Sequence, residues 1–151
     1  MEKQPKVIDL IQHVDDRGYL YEIIHGSDDF MDKFGQVYVV GNPARGAIRA
    51  FHAHDELVDY FHIVKGSAKF VLFKREEGTE INPDKSQVFV LTERKPQLLI
   101  VPSGWYHGWM SLEDNTTMIS TSNREYNKDN PDEHRISPYV LGEDIWKVKA
   151  K

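Results

Sequence analysis

Residues Gly46 to Gly66 read GAIRAFHAHDELVDYFHIVKG, and they contain two histidines, His52 and His54, with one residue between them. Asp59 follows five positions after the second histidine. Side chains alternate between the two faces of an extended strand, so His52 and His54 are expected to point the same way. A third histidine, His107, follows the turn sequence Pro-Ser-Gly later in the chain. The pattern predicts a polar cluster on one face of a β-structure.

The size and charge of the chain limit the kinds of protein it can be. A length of 151 residues predicts one domain, residues 1–151, that buries a core without disulfides. The chain has no cysteine, which excludes thiolate zinc sites and fits a reducing cytoplasm. A net charge of -5 without a basic tract argues against nucleic-acid binding. We expect a cytoplasmic protein with no membrane partner, because no apolar run approaches the roughly 20 residues that span a bilayer.

Short runs of β-branched and aromatic residues, separated by turn residues, dominate the chain. They predict strands at residues 7–13, 20–24, 36–40, 47–54, 57–64, 68–74, 87–91, 97–101, 106–112 and 116–122. Helical periodicity is almost absent, so the expected fold is an all-β sandwich or barrel. We expect short peripheral helices at 27–34 and 141–148, and a polar surface loop at 123–138.

Two ordered motifs resemble the signatures of the cupins. The first runs Gly46-x5-His52-x-His54-x4-Asp59-x6-Gly66, and the second runs Pro102-x-Gly104-x2-His107. Asp59 stands where the family usually has glutamate. The resemblance implies an all-β jelly-roll barrel, and it leaves the chemistry open because one fold hosts many functions.

A narrower resemblance covers most of the chain. Its motifs are Asp15-Asp-Arg-Gly-Tyr-Leu-Tyr-Glu22, Ile48-Arg-Ala-Phe-His52, Val101-Pro-Ser-Gly-Trp-Tyr-His-Gly108 and Ile145-Trp146. In order, they are similar to motifs of the dTDP-4-dehydrorhamnose 3,5-epimerases, which are metal-free cupins acting on nucleotide-linked 4-keto-6-deoxy sugars. The resemblance implies that His52 is the base, that no cofactor is needed and that the protein is a homodimer. It also implies a nucleotide-sugar site lined by Arg17, Glu22, Arg49 and His107.

The residue types suit this chemistry. A positioned imidazole can remove a hydrogen from a carbon beside a ketone, and the resulting enolate must be stabilised and reprotonated. His52 fits the first task, since an ordinary imidazole pKa of about 6.5 lies near neutrality. The guanidinium forks of Arg17 and Arg49 match the geometry of phosphate oxygens.

Three positions depart from the epimerase pattern. Asp59 stands at the position of a lysine that helps to stabilise the enolate, and Ser120 at the position of the tyrosine proton donor. A serine hydroxyl is far too weak an acid to replace a phenol. The aspartate that pairs with the catalytic histidine aligns with Tyr139. Asp59 beside an enolate would raise the barrier unless its carboxylate orients a histidine or binds a metal.

The chain also resembles the 3,4-ketoisomerases among the nucleotide-sugar cupins. The similarity lies in the early Asp-x-Arg-Gly-x-Leu segment, in the arginine followed by His-Ala-His, and in an upstream tyrosine. It implies a catalytic set of Tyr38, Arg49, His52 and His54. This reaction needs no residue at position 120.

A metal-binding cupin is a third interpretation, with His52, His54, Asp59 and His107 as ligands. If His52 ligates a metal, its lone pair is occupied and it cannot be the base. A module that only binds sugars is a fourth. We favour a metal-free isomerase that epimerises carbon 3, carbon 5 or both. Its expected catalytic residues are Tyr38, His52 and His54, and its substrate-binding residues are Arg17, Glu22, Arg49, Asp59 and His107.

Several residues also have a purely structural interpretation. Arg49 has the opposite strand parity from His52, so it reaches the same face only if a bulge redirects it. Tyr38 alternates with valines and would equally suit packing. His62 is expected to be a polar residue whose hydrogen bonds are satisfied. The predicted strand at 7–13 is an edge that could pair between protomers.

Overall fold

The computed structural model describes residues 3–151, and within this range the chain forms twelve strands and two short 3-10 helices. The strands are β1 (Lys6–Asp9), β2 (Gln12–Asp15), β3 (Gly18–Tyr21), β4 (Gln36–Asn42), β5 (Ile48–Ala53), β6 (Asp59–Lys65), β7 (Ser67–Lys74), β8 (Gln87–Thr92), β9 (Gln97–Val101), β10 (Trp105–Ser111), β11 (Thr116–Ser122) and β12 (His134–Arg135). The 3-10 helices are Pro83–Lys85 and Glu143–Trp146. Among residues 3–151, no helix is long and apolar enough to cross a membrane. The all-β prediction is confirmed.

Two five-stranded antiparallel sheets face each other. One has the order β1-β9-β6-β11-β4 and the other the order β12-β5-β10-β7-β8, while β2 and β3 form a separate hairpin. Both sheets contribute to the central core, which includes Phe61 and Leu99 from the first sheet and Phe70 and Trp109 from the second. Burial of these large apolar side chains is the main stabilising contribution, at about 25 cal/mol per Å² removed from water.

The other face of β6 also buries its side chains. His62 is fully buried there, between the phenol oxygen of Tyr21 and the carbonyl of Gln97, each 2.8 Å from an imidazole nitrogen. Both ring nitrogens therefore have a partner, as a buried polar group requires. The expectation that His62 is a satisfied polar residue is confirmed.

The N-terminal third differs from the expectation in two places. The strand predicted at 7–13 is two strands, since β1 pairs with β9 while β2 turns away to pair with β3. The helix predicted at 27–34 is wrong, because this segment consists of turns. The side chain of Asp28 accepts from the N–H of His25, and the carbonyl of Phe30 accepts from the hydroxyl of Tyr60. The first contact is a local turn, and the second is a tertiary contact with a backbone carbonyl that a helix would use for its own hydrogen bond.

The segment 123–138 is more than the predicted surface loop. Its last part forms β12, which pairs with β5 so that Arg135 lies opposite His52. Just before β12, the carboxylate of Asp132 accepts hydrogen bonds from the backbone N–H groups of residues 55–57. This segment is therefore fastened both to β5, which carries His52, and to the residues directly after His54. The helix predicted at 141–148 is reduced to the 3-10 turn Glu143–Trp146.

A bulge in β5 changes the direction of Arg49. His107 of β10 lies opposite His52 of β5, and Trp109 of β10 lies opposite Arg49 of β5. The step between these two pairs is two residues in β10 but three residues in β5. The extra residue in β5 places Arg49 and His52 on the same face. The strands approach closely here, since a Cβ on Gly108 would lie 2.3 Å from the Cβ of Ala50.

Candidate active site

A cavity of about 710 Å³ lies between the two sheets. Such a volume is typical of a small-molecule site. Strands of both sheets and the segment that follows β11 line it. Of the eight site residues predicted from the sequence, six line this cavity: Tyr38, Arg49, His52, His54, Asp59 and His107.

The two remaining residues, Arg17 and Glu22, lie outside the cavity. Arg17 is at the turn of the β2–β3 hairpin, where its side chain is 86% exposed and pairs with Asp15. Glu22 follows the hairpin and forms a hydrogen bond with His25. Within a single chain, the structure does not bring these two residues to the histidine cluster.

His52 pairs with a carboxylate that the sequence analysis missed. Its Nδ1 lies 2.7 Å from Oε1 of Glu133, which is the residue just before β12. A carboxylate accepts, so Nδ1 donates and the lone pair of Nε2 stays free. The other oxygen of Glu133 lies 2.9 Å from Arg135. Burial would raise the pKa of Glu133, but the hydrogen bonds from Arg135 and His52 hold it below its ordinary value.

The sequence analysis aligned Tyr139 with the aspartate that pairs with the catalytic histidine, and the structure corrects this expectation. Tyr139 is exposed, and the carboxylate that reaches His52 is Glu133. The pairing of β12 with β5 sets this contact, because it fixes residues 134 and 135 beside residues 53 and 52. A two-residue strand inside a polar segment carries no periodic pattern that would have indicated it.

His54 is held from both sides of its ring. Its Nδ1 lies 2.5 Å from the carbonyl oxygen of Asp132, and its Nε2 lies 3.3 Å from Oδ2 of Asp59. Burial alone would lower the pKa of His54. The contacts with Asp59 and Asp132 outweigh it and raise the pKa to about 9.

His107 approaches the same carboxylate from another strand. Its Nδ1 lies 3.3 Å from the carbonyl of Trp105, and its Nε2 lies 3.4 Å from Oδ2 of Asp59. Burial lowers the pKa of His107 to about 4, although the negative charge of Asp59 acts in the opposite direction. His107 is thus a neutral imidazole at neutral pH.

Asp59 lies between these two imidazoles and is 3% exposed. Asp59 stands where the epimerases have a lysine, and this departure would place a negative charge in the site. The structure directs the carboxylate to His54 and His107, and not to His52. Oδ2 has no hydrogen bond of acceptable geometry within residues 3–151.

Tyr38 lies beside the position where the epimerases have their tyrosine. The register of β4 and β11 places Tyr38 directly opposite Ser120, and Tyr38 lines the cavity. Burial raises the pKa of the phenol, and the charges of Asp59 and Glu133 act in the same direction. The phenol therefore keeps its proton at neutral pH.

Arg49 lines the cavity as a result of the β5 bulge. Its Nε donates to the side-chain oxygen of Asn42 at 2.8 Å. This bond fixes the plane of the guanidinium group and leaves its terminal nitrogens for other acceptors.

Comparison with known protein families assigns the fold and the family. Residues 13–134 match the family described as the polysaccharide biosynthesis C-terminal domain. The chain belongs to this family. The match includes most of the β2–β3 hairpin, the strands β5 and β10, and Glu133.

Two curated proteins are similar to the chain over most of its length. The spore coat polysaccharide biosynthesis protein SpsL of Bacillus subtilis is 35% identical over 133 residues, which are 87% of this chain and 86% of SpsL. The probable low-salt glycan biosynthesis epimerase Agl13 of Haloferax volcanii is 28% identical over 138 residues, which are 89% of this chain and 86% of Agl13.

Solved structures confirm the cupin jelly roll and the predicted resemblance. The dTDP-4-dehydrorhamnose 3,5-epimerase of Elizabethkingia anophelis superposes with a TM-score of 0.78 and 22% identity, over 97% of this chain and 83% of that chain. This member of the polysaccharide biosynthesis family thus has the fold of the dTDP-sugar epimerases.

Proposed function

We propose that this protein is an isomerase that epimerises a nucleotide-linked 4-keto-6-deoxy sugar at carbon 3, carbon 5 or both, with His52 as the base. The 2.7 Å contact between His52 and Glu133 carries the proposal. It supplies the base with an orienting carboxylate, as proton abstraction by a neutral imidazole requires. The names of the relatives, which include sugar biosynthesis epimerases, support the reaction class.

In this mechanism, Nε2 of His52 removes the proton from a carbon beside the ketone. The electron pair of the C–H bond moves into the carbonyl group and gives an enolate. The Tyr38 phenol then delivers a proton to the opposite face of the same carbon, and the carbonyl re-forms. Exchange with solvent returns the proton to Tyr38 and removes it from His52. Both groups line the same cavity.

The substrate class follows from the remaining residues of the cavity. Arg49 provides a fixed guanidinium group, which suits the diphosphate of a nucleotide sugar. The matched structures include dTDP-sugar epimerases, so we propose a dTDP-linked sugar destined for polysaccharide biosynthesis. The acid–base steps use only side chains of this chain and no cofactor.

The second candidate is 3,4-ketoisomerisation. His54 lines the same cavity as His52 and Tyr38, and a paired imidazole is what proton transfer between adjacent carbons needs. This reaction would leave the ketone at carbon 3. The buried, partnered position of His54 beside Asp59 makes it less available than His52, which is why we place epimerisation first.

One incubation separates these reactions. The purified protein is mixed with a dTDP-4-keto-6-deoxy sugar in deuterated water, and the sugar is analysed by NMR. We expect deuterium at carbon 3 or 5 and an inverted centre there. A ketone at carbon 3 would identify the ketoisomerase. Tight binding without any exchange, both for the native protein and for His52→Asn, would show a sugar-binding module and refute the enzyme.

We further propose a homodimer in which a second copy covers the β2–β3 hairpin. Ile11, Val14, Tyr19 and Leu20 are 75%, 70%, 71% and 61% exposed there. Val14 and Tyr19 lie opposite each other on one face of the hairpin and Leu20 lies on the other face, so both faces expose large apolar side chains, which suits an interaction site. A second copy would also offer a role for Arg17, which lies outside the cavity of its own chain. Light scattering should give twice the chain mass, and Leu20→Asp should reduce it where Val148→Asp does not.

A further inference from the structure

Ser120 is a fully buried residue of β11 that lies directly opposite Tyr38 of β4. Its hydroxyl oxygen has no hydrogen bond of acceptable geometry within residues 3–151. We propose that Ser120 is a positioning residue, which donates a hydrogen bond to the phenol oxygen of Tyr38 and stabilises the phenolate that remains when Tyr38 gives its proton to the sugar. The inference rests on the proposed function and adds a residue to its proton-donating side.

The neighbours of Ser120 leave Tyr38 as its partner. On the other side of β11, Ser120 lies opposite Phe61 of β6, whose ring is apolar. Met118 and Ser122 are the residues of β11 on the same face, two positions away in each direction. The sulfur of Met118 is at most a weak acceptor, and the hydroxyl of Ser122 already donates to a backbone carbonyl. Tyr38 is therefore the neighbour that Ser120 is placed to support.

The face of β11 that carries Ser120 is turned to the cavity. Tyr38, Phe61, Met118 and Ser122 all line the cavity wall. Directly opposed residues of antiparallel strands have Cβ atoms about 4.5–5.5 Å apart and share one face of the sheet. Because Ser120 is fully buried among these residues, its hydroxyl is shielded from water that would compete for the hydrogen bond.

The charges around the phenol of Tyr38 make such a donor useful. Burial raises the pKa of Tyr38, and the carboxylates of Asp59 and Glu133 act in the same direction. All three influences oppose the phenolate that proton donation leaves behind. The side chain of Ser120 acts in the opposite direction on this pKa, since a hydrogen bond to the phenol oxygen favours its charged form. Among these influences, only that of Ser120 favours proton donation.

The unpaired hydroxyl of Ser120 fits a hydrogen bond that tightens during the reaction. Catalytic hydrogen bonds are often long or poorly aligned before the substrate binds. Hydrogen bonds to a charged oxygen are shorter and stronger than those to a neutral one, so the bond is strongest once Tyr38 has lost its proton. An interaction that strengthens as this charge develops lowers the barrier to proton donation.

This role also accounts for the serine at a position where the epimerases have tyrosine. The phenol is supplied by β4, and the serine on β11 supports it from the opposite position. Ser120 does not have to donate a proton to the sugar, for which a serine hydroxyl is too weak an acid.

The first test compares Ser120→Ala with Thr121→Val, which changes a hydroxyl on the other face of β11. Each protein is incubated with a dTDP-4-keto-6-deoxy sugar in deuterated water, and NMR follows inversion and deuterium exchange. We expect Ser120→Ala to slow inversion by about 10-fold or more and to keep the exchange catalysed by His52. Thr121→Val should match the native protein in both. Native inversion in Ser120→Ala, or equal slowing of inversion and exchange, would overturn the proposal.

The second test does not depend on turnover. Fluorotyrosine replaces the seven tyrosines, which lowers the pKa of each phenol, and fluorine NMR follows their titration. The signal that disappears in Tyr38→Phe belongs to Tyr38. Ser120→Ala should raise the pKa of this phenol by about 1, whereas Thr121→Val should not change it. An unchanged pKa in Ser120→Ala would refute the hydrogen bond.

The two tests separate this proposal from the proposed function. If the native protein does not turn over the sugar but Ser120→Ala raises the pKa of Tyr38, the reaction is wrong and the hydrogen bond stands. If Tyr38→Phe stops inversion but Ser120→Ala changes neither inversion nor the pKa, Tyr38 remains the donor and the role of Ser120 is refuted. Circular dichroism checks that each variant is folded.

Discussion

His52 and Glu133 are 81 positions apart in the chain, yet Nδ1 of one lies 2.7 Å from Oε1 of the other. Both side chains are largely buried, with 29% and 18% exposed. The carboxylate sets the orientation and the tautomer of the imidazole and would stabilise the imidazolium that forms when His52 takes a proton. The functional unit of this cavity is therefore a pair of residues from distant parts of the sequence.

The first prediction concerns this pair. Glu133→Gln keeps the shape of the side chain but removes the charge that would stabilise protonated His52. We expect the rate of deuterium incorporation into the sugar to fall by about 10²-fold or more, with little change in KM. Single-turnover NMR measures the rate. Glu125→Gln, an acidic neighbour in the cavity wall, is the control. An unchanged rate in Glu133→Gln would contradict the role.

The second prediction separates the two proton transfers. If Tyr38 delivers the second proton, Tyr38→Phe should stop inversion while His52 still exchanges the first proton with solvent. The recovered sugar would then contain deuterium without a changed stereocentre. NMR of the sugar gives both quantities from one sample. Inversion at the native rate would exclude Tyr38 as the donor.

The third prediction is about acid stability. Hydrogen bonds from Arg94, and then from Ser67, lower the pKa of Glu113 from 4.5 to about 2. The carboxyl group of Glu113 thus holds its proton less tightly in the folded state than in the unfolded state. This stabilisation is complete above pH 4.5 and is lost as the pH falls toward about 2.

The loss of stability at low pH is tested by measuring the thermal unfolding midpoint between about pH 7 and pH 2. Glu113→Gln should lower the midpoint at neutral pH and flatten its decline between about pH 4.5 and pH 2. Glu80→Gln changes an exposed glutamate elsewhere and should follow the native curve. Parallel curves for the native protein and Glu113→Gln would refute the prediction.

The fourth prediction concerns Gly66, at the turn between β6 and β7. Its φ is 80°, and an added Cβ would lie 2.5 Å from Oγ1 of Thr116. Gly66→Ala should therefore reduce the free energy of unfolding by about 1–3 kcal/mol. Urea denaturation measures it. Gly41→Ala, whose Cβ would meet nothing within 4 Å, should cost less than Gly66→Ala.

Local patterns predicted much of the architecture. Alternation and turn residues predicted ten ranges that overlap eleven of the twelve strands described between residues 3 and 151 and miss β12, and Thr116–Ser122 agrees at both ends. The helix expected at 27–34 failed because its polar groups bond to distant partners such as Tyr60. The strand expected at 7–13 was divided because two different partners compete for its halves.

The sequence by itself indicated that His52, His54, Asp59 and His107 belong to one cluster, because strand alternation relates the first two histidines and the two ordered motifs resemble the cupin signatures. Only the tertiary structure decided how the cluster is divided. Glu133 reaches His52 through the pairing of β12 with β5, and Asp59 reaches His54 and His107 through the approach of β6 and β10. The side of the strand on which Arg49 lies depends on a bulge that is fixed by cross-strand register. Contacts between distant segments are set by the packing of the whole barrel, and no local pattern of residues encodes them.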